Sequence, residues 1–435
     1  KLTEADYSKD ASFPEIKVDF KDLSDGNINF YYKNDTSLPL IYANFAFFAG
    51  NASEEKTGLA YITSQMLSRG SKNYDKFKSS KLLDLYGADI NFSASRETAR
   101  VHFSTVSDRL EEVLEILKDN IYNPSFDKEE LSKLKELVIS RLSQEEDSPA
   151  SVANREMTQM IYPSDHPFFI PDVKEREKAI KSIKIEDVKK FYEEHYNSQN
   201  LFVSIVGDIS EEKAKSVIED LFTNLNKDVK KNKNIVPEIK TSKIKESKHK
   251  DFIKSDKTQS EIVIAHAGVL NRTHEDFYPL YMANQALGGS ALSSRLGNVV
   301  RDQHGLVYNV RSSFDAGLGA GMYKIILGCN PKNVSKAISL SKATTEEFLE
   351  SGISEIELKI TKSYLTGSFP VRTLSSMESV SETLLQMLIY NLGKDYISNY
   401  NNSLNSVTKK QVDKAARAYI KPSSFNSVIV GPSYE

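Results

Sequence analysis

One internal repeat constrains this chain more than any other feature. Residues 185–209 read IEDVKKFYEEHYNSQNLFVSIVGDI, and residues 409–432 read KKQVDKAARAYIKPSSFNSVIVGP. Each is an amphipathic helix, a short polar turn and a hydrophobic strand closed by glycine. Val188 matches Val412 and Gly207 matches Gly431, both at an offset of 224 (412 − 188 and 431 − 207). Glu130-Leu131 matches Glu357-Leu358 at 227 (357 − 130), and the Ala-Gly closing Phe45–Gly50 matches that closing Ile264–Gly268 at 218 (268 − 50). Matches in one order, with slowly drifting offsets, predict two copies of one fold.

The copies are predicted at residues 1–223 and 257–435. A Lys-rich connector, 224–256, containing KDVKKNKN and KIKESKHK, is predicted between them as an exposed linker without helical or strand periodicity. Within the first copy, Ile28–Tyr32 and Leu40–Ala49 are rich in β-formers. Asn34-Asp35 between them signals a hairpin. Leu110–Ile121 and Glu129–Leu142 have helical spacing, with Pro124 and Pro149 outside them. Strands and helices interleave without a regular βαβ beat. The predicted fold is therefore α+β, each copy a mostly antiparallel or mixed sheet flanked by helices.

Composition narrows the function classes. Hydrophobic residues make up 39 % and charged residues 27 % of 435, enough for packed cores. The formal charge is −3, from 57 basic and 60 acidic side chains, so nucleic acid is not an expected partner. No run approaches the roughly 18 to 20 apolar residues of a membrane span. A single cysteine, Cys329, excludes an internal disulfide and any zinc site in the chain that needs two thiolates. The sequence opens on Lys1 rather than Met, as expected of a trimmed or processed chain.

Residues 50–71 read GNASEEKTGLAYITSQMLSRGS. Here the sequence resembles the pitrilysin/insulinase family of inverzincin metallopeptidases, and its small-subunit branch, which includes mitochondrial processing peptidase and bacterial homologues. Gly58-Leu59-Ala60, Met66-Leu67 and Gly70-Ser71 stand where the family pattern G-L-A-H-x-x-E-H-M-L-x-x-G-S/T places them. In H-x-x-E-H the two histidines share a helical face and reach one zinc, and the glutamate polarises the metal-bound water. Tyr61 occupies the first histidine position, Ser64 the glutamate and Gln65 the second histidine. A phenol stays protonated near neutral pH, a carboxamide is not a usual zinc donor, and a serine hydroxyl is no base. Counting back from Asp147-Ser148-Pro149 puts Arg141 where the resemblance implies a third ligand, a glutamate. The seven histidines, His102, His166, His195, His249, His266, His274 and His304, include no i,i+3 or i,i+4 pair that could rebuild a site. No metal and no catalytic residue is therefore expected in this chain.

The second copy keeps what the first has lost. Residues 287–313, LGGSALSSRLGNVVRDQHGLVYNVRSS, resemble the family segment whose arginine and tyrosine orient the substrate backbone and stabilise the tetrahedral intermediate. The equivalents are Arg301 and Tyr308, with the seven-residue spacing intact (308 − 301). Both are hydrogen-bond donors able to hold a carbonyl or an oxyanion. The segment after Gly87 is similar to the family's substrate-pairing edge strand, with Asn91 and Ser93 as candidate contacts and Phe92 where a small residue is usual.

The resemblance implies two α+β domains forming half of a clam shell. It implies a non-catalytic subunit that binds peptide or unfolded protein and lends Arg301 and Tyr308 to a homologous partner carrying the zinc. The alternative it leaves is a zinc-less pseudopeptidase acting as a peptide-binding or scaffold homodimer. A third reading, an active peptidase using a relocated metal, has no paired ligands to support it. A periplasmic or otherwise exported bacterial location is the expectation.

Overall fold

The computed structural model describes residues 16–25, 28–226, 247–290 and 293–434. The first half contains β1 (Lys21–Asp22), β2 (Asn29–Asn34), β3 (Leu40–Phe47), α1 (Leu59–Met66), α2 (Lys76–Tyr86), β4 (Asp89–Ala94), β5 (Ala99–Val106), α3 (Leu110–Tyr122), α4 (Lys128–Asp147), α5 (Pro149–Ile161), α6 (Val173–Ser182), α7 (Ile185–His195), β6 (Leu201–Gly207) and α8 (Glu211–Phe222). The second contains β7 (His249–Ile253), β8 (Ser260–His266), α9 (Phe277–Asn284), β9 (Val307–Ala316), β10 (Ala320–Cys329), α10 (Val334–Ser351), α11 (Glu355–Thr373), α12 (Met377–Ile389), α13 (Tyr396–Asn405), α14 (Lys409–Tyr419) and β11 (Asn426–Gly431). Two π-helical turns, Gln285–Gly289 and Gly297–Gln303, lie between α9 and β9.

The first sheet has the order β1-β2-β6-β3-β5-β4, and the second β7-β11-β8-β10-β9. Both are mixed: β2 runs parallel to β6, and β7 parallel to β11, while the other pairings are antiparallel. Two α+β domains with helix-flanked sheets are the architecture expected from the sequence. The predicted hairpin between β2 and β3 does not form. β6 lies between them, pairing with β2 on one side and β3 on the other. A turn signal at Asn34-Asp35 fixes a change of direction, not the neighbour; the apolar run of β6, covered on both faces, takes the central place.

The predicted linker also needs correction. Residues 227–246 lie outside the described residues, but His249–Ile253 form β7, an edge strand of the second sheet. Its side chains are exposed except the half-buried Phe252, so its composition reads as connector. Edge strands are commonly charged in this way, which discourages pairing with other chains.

The two halves exchange helices. From the first half, α5 lays Val152, Ala153, Met157 and Ile161 against Val263, Ala265, Val428 and Val430 of the second sheet. From the second half, α12 lays Leu385 and Ile389 against Ala46, Phe48 and Phe202 of the first sheet. Buried polar contacts fix the register of α12: Asn44 Nδ2 donates to Ser381 Oγ at 2.9 Å, and the Ser204 and Ser381 hydroxyls stand 3.0 Å apart. Ser148 caps α5 by accepting from the Ser151 N–H, and Pro149 at the first turn starts it without a wasted donor.

This exchange makes a stability prediction. Met157 is fully buried, so Met157→Ala should cost about 2–5 kcal/mol. The loss should appear as faster amide hydrogen exchange in Val428–Val430, far from the substitution in sequence. Protection lost only within residues 149–161 would contradict the exchange of cover.

Candidate functional site

The degenerate centre is built by α1 and α4. Gly58 begins α1 in the left-handed conformation (φ +88°), and a Cβ there would lie 2.3 Å from Ile180 Cδ1. The Glu54 carboxylate accepts from the Gly58 N–H at 2.9 Å and the Ala60 N–H at 3.0 Å, closing the helix start. At the other wall Asp127 caps α4, accepting from Glu129 and Glu130 N–H groups at 2.8 and 2.9 Å. These two helices bring Tyr61 and Arg141 together, with Arg141 Nη1 donating to the Tyr61 hydroxyl at 3.0 Å. The residues counted as first and third ligand positions therefore meet in space, 80 residues apart in sequence.

The other two positions are occupied by structural bonds. Ser64 is buried and its hydroxyl donates to the Tyr61 carbonyl at 2.8 Å. Gln65 Nε2 donates to the Phe92 carbonyl, tying α1 to β4. A phenol held by a guanidinium, a carboxamide spent on backbone and a fixed positive charge do not fit zinc. Among the described residues no three His, Cys, Asp or Glu side chains converge as a metal site.

β4 is the edge of the first sheet, paired to β5 on one side. Asn91 and Ser93 are exposed, while Ile90 and Phe92 point into the core. The bulk of Phe92 therefore lies inside and leaves the outer face open. Arg301 and Tyr308 belong to the second half. Arg301, half-buried, sits in the second π-helical turn, where its carbonyl accepts the Gly305 N–H at 2.9 Å. Tyr308 follows at the start of the edge strand β9 and is 57 % exposed. Val300 and Val310, both fully buried, anchor the two elements that carry them. π-helical turns often mark functional positions.

The structure adds residues that periodicity did not single out. A cavity of about 820 Å³ opens beside Tyr61, walled by Glu54, Arg96, His166, Phe168 and Arg176 among others. Burial pushes the Glu54 carboxyl up to about 7 against the pull of the Ala60, Gly58 and Leu59 backbone N–H groups. Burial holds His166 below its ordinary value, and its ring stacks on Tyr162 with centroids 4.7 Å apart. Arg96 stacks over Phe168 at 3.9 Å and lies 3.7 Å from Asp315 of the second half. Next to it the Glu97 carboxylate accepts the Leu318 N–H at 2.8 Å, bridging the tips of the β4–β5 and β9–β10 hairpins. Gly317 allows this approach; a Cβ there would lie 2.3 Å from Glu97 Oε1. No signal in the sequence marked them: Arg96-Glu97 in a hairpin turn reads as a solvent-facing pair, and it is the fold that buries Glu97 while leaving Arg96 half-buried.

Fold and site together define a two-domain scaffold in which the positions expected to carry metal ligands hold Tyr61, Gln65 and Arg141. Residues 33–168 match the family described as insulinase (peptidase family M16), and residues 182–365 match the description peptidase M16 inactive domain. The chain belongs to this family. It is 25 % identical over 364 residues to an uncharacterized zinc protease of Bacillus subtilis, covering 83 % of this chain and 86 % of that one. It is 23 % identical over 416 residues to a non-peptidase homolog of Helicobacter pylori, covering 94 % and 93 %. A peptidase M16 inactive domain from Pseudomonas fluorescens has the same fold, with a TM-score of 0.88, 22 % identity and coverage of 96 % and 99 %. Inactive, non-peptidase members thus stand among its relatives.

Two outcomes test this description. The raised Glu54 value means the folded state holds that proton more tightly than an unfolded chain near 4.5. Its contribution to stability is therefore greatest below about 4.5 and falls as pH rises through about 7, by at most about 3 kcal/mol. Glu54→Gln should flatten thermal midpoints over that window; an unchanged slope would reject the assignment. Separately, Tyr61→His, Gln65→His and Arg141→Glu together should bind close to one zinc per chain by metal analysis. The two histidine changes alone, with Arg141 still in place, should bind roughly tenfold or more weakly. Equal uptake by both variants would show that Arg141 does not stand at the third-ligand position.

Proposed function

We propose that this chain is the non-catalytic, substrate-binding subunit of a heterodimeric zinc metallopeptidase. The partner, a homologue with H-x-x-E-H, supplies the zinc. This chain supplies the Arg301 guanidinium and the Tyr308 hydroxyl as donors to the substrate carbonyl and the oxyanion that forms from it. The observation that carries the reading is Tyr308. A tyrosine left 57 % exposed on an edge strand, seven residues after Arg301 (308 − 301), keeps its donor available to another molecule. The burial of Val300 and Val310, on the two elements that carry the pair, supports it, since a positioned donor needs a fixed base. The substrate is peptide or unfolded protein, and the setting is an exported bacterial one.

A second reading is favoured by one observation. β4 is an edge strand whose Asn91 and Ser93 face solvent, so the chain alone offers a strand for peptide pairing. In that case it is a zinc-less peptide-binding or scaffold protein, pairing with itself.

Mixing the chain with a zinc-bearing homologue from the same organism separates the two. The first reading expects peptidase activity well above that of the homologue alone. Arg301→Ala and Tyr308→Phe should each cut kcat by roughly 10²-fold while the complex still forms. Activity indifferent to the added chain, with peptide bound equally by wild type and Arg301→Ala, would favour the second.

A further inference from the structure

The cavity beside Tyr61 takes no part in the roles given to Arg301 and Tyr308, yet it has the form of a ligand site. Its volume, about 820 Å³, falls within the roughly 300–1,000 Å³ of pockets that enclose a small molecule. Separate elements wall it. The start of α1 gives Gly58 and Tyr61, α4 gives Val138 and Leu142, and α6 gives Arg176 and Ile180. The loop between α5 and α6 closes one side with His166, Phe168, Phe169 and Ile170. Most of the wall is therefore apolar.

The polar groups in it are unbalanced. Its acceptors are already taken. The Glu54 carboxylate accepts from the Gly58 and Ala60 N–H groups, and Glu55 accepts from Lys190 Nζ at 3.0 Å. Asp165 is exposed to water. Donors are left over. His166 Nδ1 accepts the Phe168 N–H at 3.0 Å, and burial holds the ring below its ordinary value, so the ring proton sits on Nε2. That Nε2 is buried without a hydrogen-bond partner among the described residues. Arg176 gives Nη2 to Glu145 at 2.7 Å, but its buried Nε has no partner among them either. The Tyr61 oxygen accepts from Arg141, which leaves its own proton to donate. Arg96 Nη1 lies 3.7 Å from Asp315, beyond hydrogen-bond distance. A buried donor left unpaired costs about 1–3 kcal/mol, a cost that an incoming acceptor removes.

Two of these donors belong to guanidinium groups, so the acceptor that suits them best carries negative charge. Glu54 offers little opposition, because burial moves its carboxyl toward the neutral form. We propose that this cavity binds an apolar carboxylate, whose oxygens accept from Arg176 and His166 and whose hydrocarbon part lies against Val138, Leu142 and Phe169. The free carboxyl end of a peptide with a large apolar last residue and a medium-chain fatty acid share this chemistry. The site needs neither zinc nor a second chain.

The test is isothermal titration calorimetry on the whole chain. The probes are octanoate, octanamide, and N-acetyl-Ala-Ala-Phe with its carboxyl end either free or amidated. At least one acid should saturate the chain, and its amide should bind at least tenfold more weakly. Which acid binds more tightly tells the two sources apart. Arg176→Met and His166→Phe should each weaken that acid by about tenfold and shrink its advantage over the amide. Arg109→Met, at an exposed arginine paired with Glu112, should change nothing. Circular dichroism should show all three variants folded; His166→Phe keeps a ring against Tyr162 should Arg176→Met prove unstable. The proposal fails if neither acid saturates, if acid and amide bind alike, or if the folded variants keep the wild-type preference for the acid. Because the assay needs no zinc-bearing homologue, its failure would leave the reading of Arg301 and Tyr308 untouched.

Discussion

Each sheet here has a face that its own half does not cover, and the other half covers it. That reciprocal burial of α5 on the second sheet and α12 on the first is the constraint on which the rest of the structure depends. Burying an apolar sheet face is worth roughly 25 cal/mol per Å², so the halves cannot separate without exposing both. The exchange also sets orientation. Asn44, Ser204 and Ser381 make buried hydrogen bonds that a slipped α12 would leave unmade, at about 1–3 kcal/mol for each orphaned group. Glu97 adds a second tie between the halves, through backbone N–H groups of the opposite hairpin. The β9–β10 hairpin is thereby tied to the β4–β5 hairpin.

The residues expected at the metal and base positions are all engaged within the chain. Arg141 holds the Tyr61 hydroxyl, Ser64 bonds back to the helix, and Gln65 ties α1 to the Phe92 carbonyl. A guanidinium beside a phenol needs no metal to be stable, and the positive charge opposes a cation there. The scaffold of the centre meanwhile persists. Gly58 still turns the chain where no side chain fits against Ile180, and Glu54 still closes the start of α1.

Much of this was legible in the sequence, for definite reasons. The resemblance implied a third-ligand position ahead of Asp147-Ser148-Pro149, and counting back from there picked out Arg141, which the fold brings to Tyr61. The strands β6 and β11 declared themselves as apolar runs closed by glycine. The hairpin of β2 and β3 did not form because turn residues specify bending, whereas sheet order follows from which strand is buried on both faces. β7 escaped notice because an edge strand paired on one side can be as polar as a linker. The exchange of α5 and α12 was invisible for a different reason: periodicity shows that a helix has an apolar face but not which sheet receives it. The cavity beside Tyr61 depends on Arg96, which lies 70 residues before His166 (166 − 96) and meets it and Arg176 only through the fold.

What distinguishes an accessory from a relic is where the remaining polar groups point. Tyr308 stays exposed, while Val300 and Val310, on the two elements that carry Arg301 and Tyr308, are packed without solvent access. Rigid support under an exposed donor is the arrangement required where a hydrogen bond must form to an atom supplied by another molecule, because preorganisation removes the entropy cost at the moment of contact. The same molecule spends no such care on Tyr61, whose hydroxyl is satisfied within the chain by Arg141. Two tyrosines singled out by the resemblance thus differ in chemical terms: the Tyr61 hydroxyl is bonded within its own chain, and the Tyr308 ring is exposed.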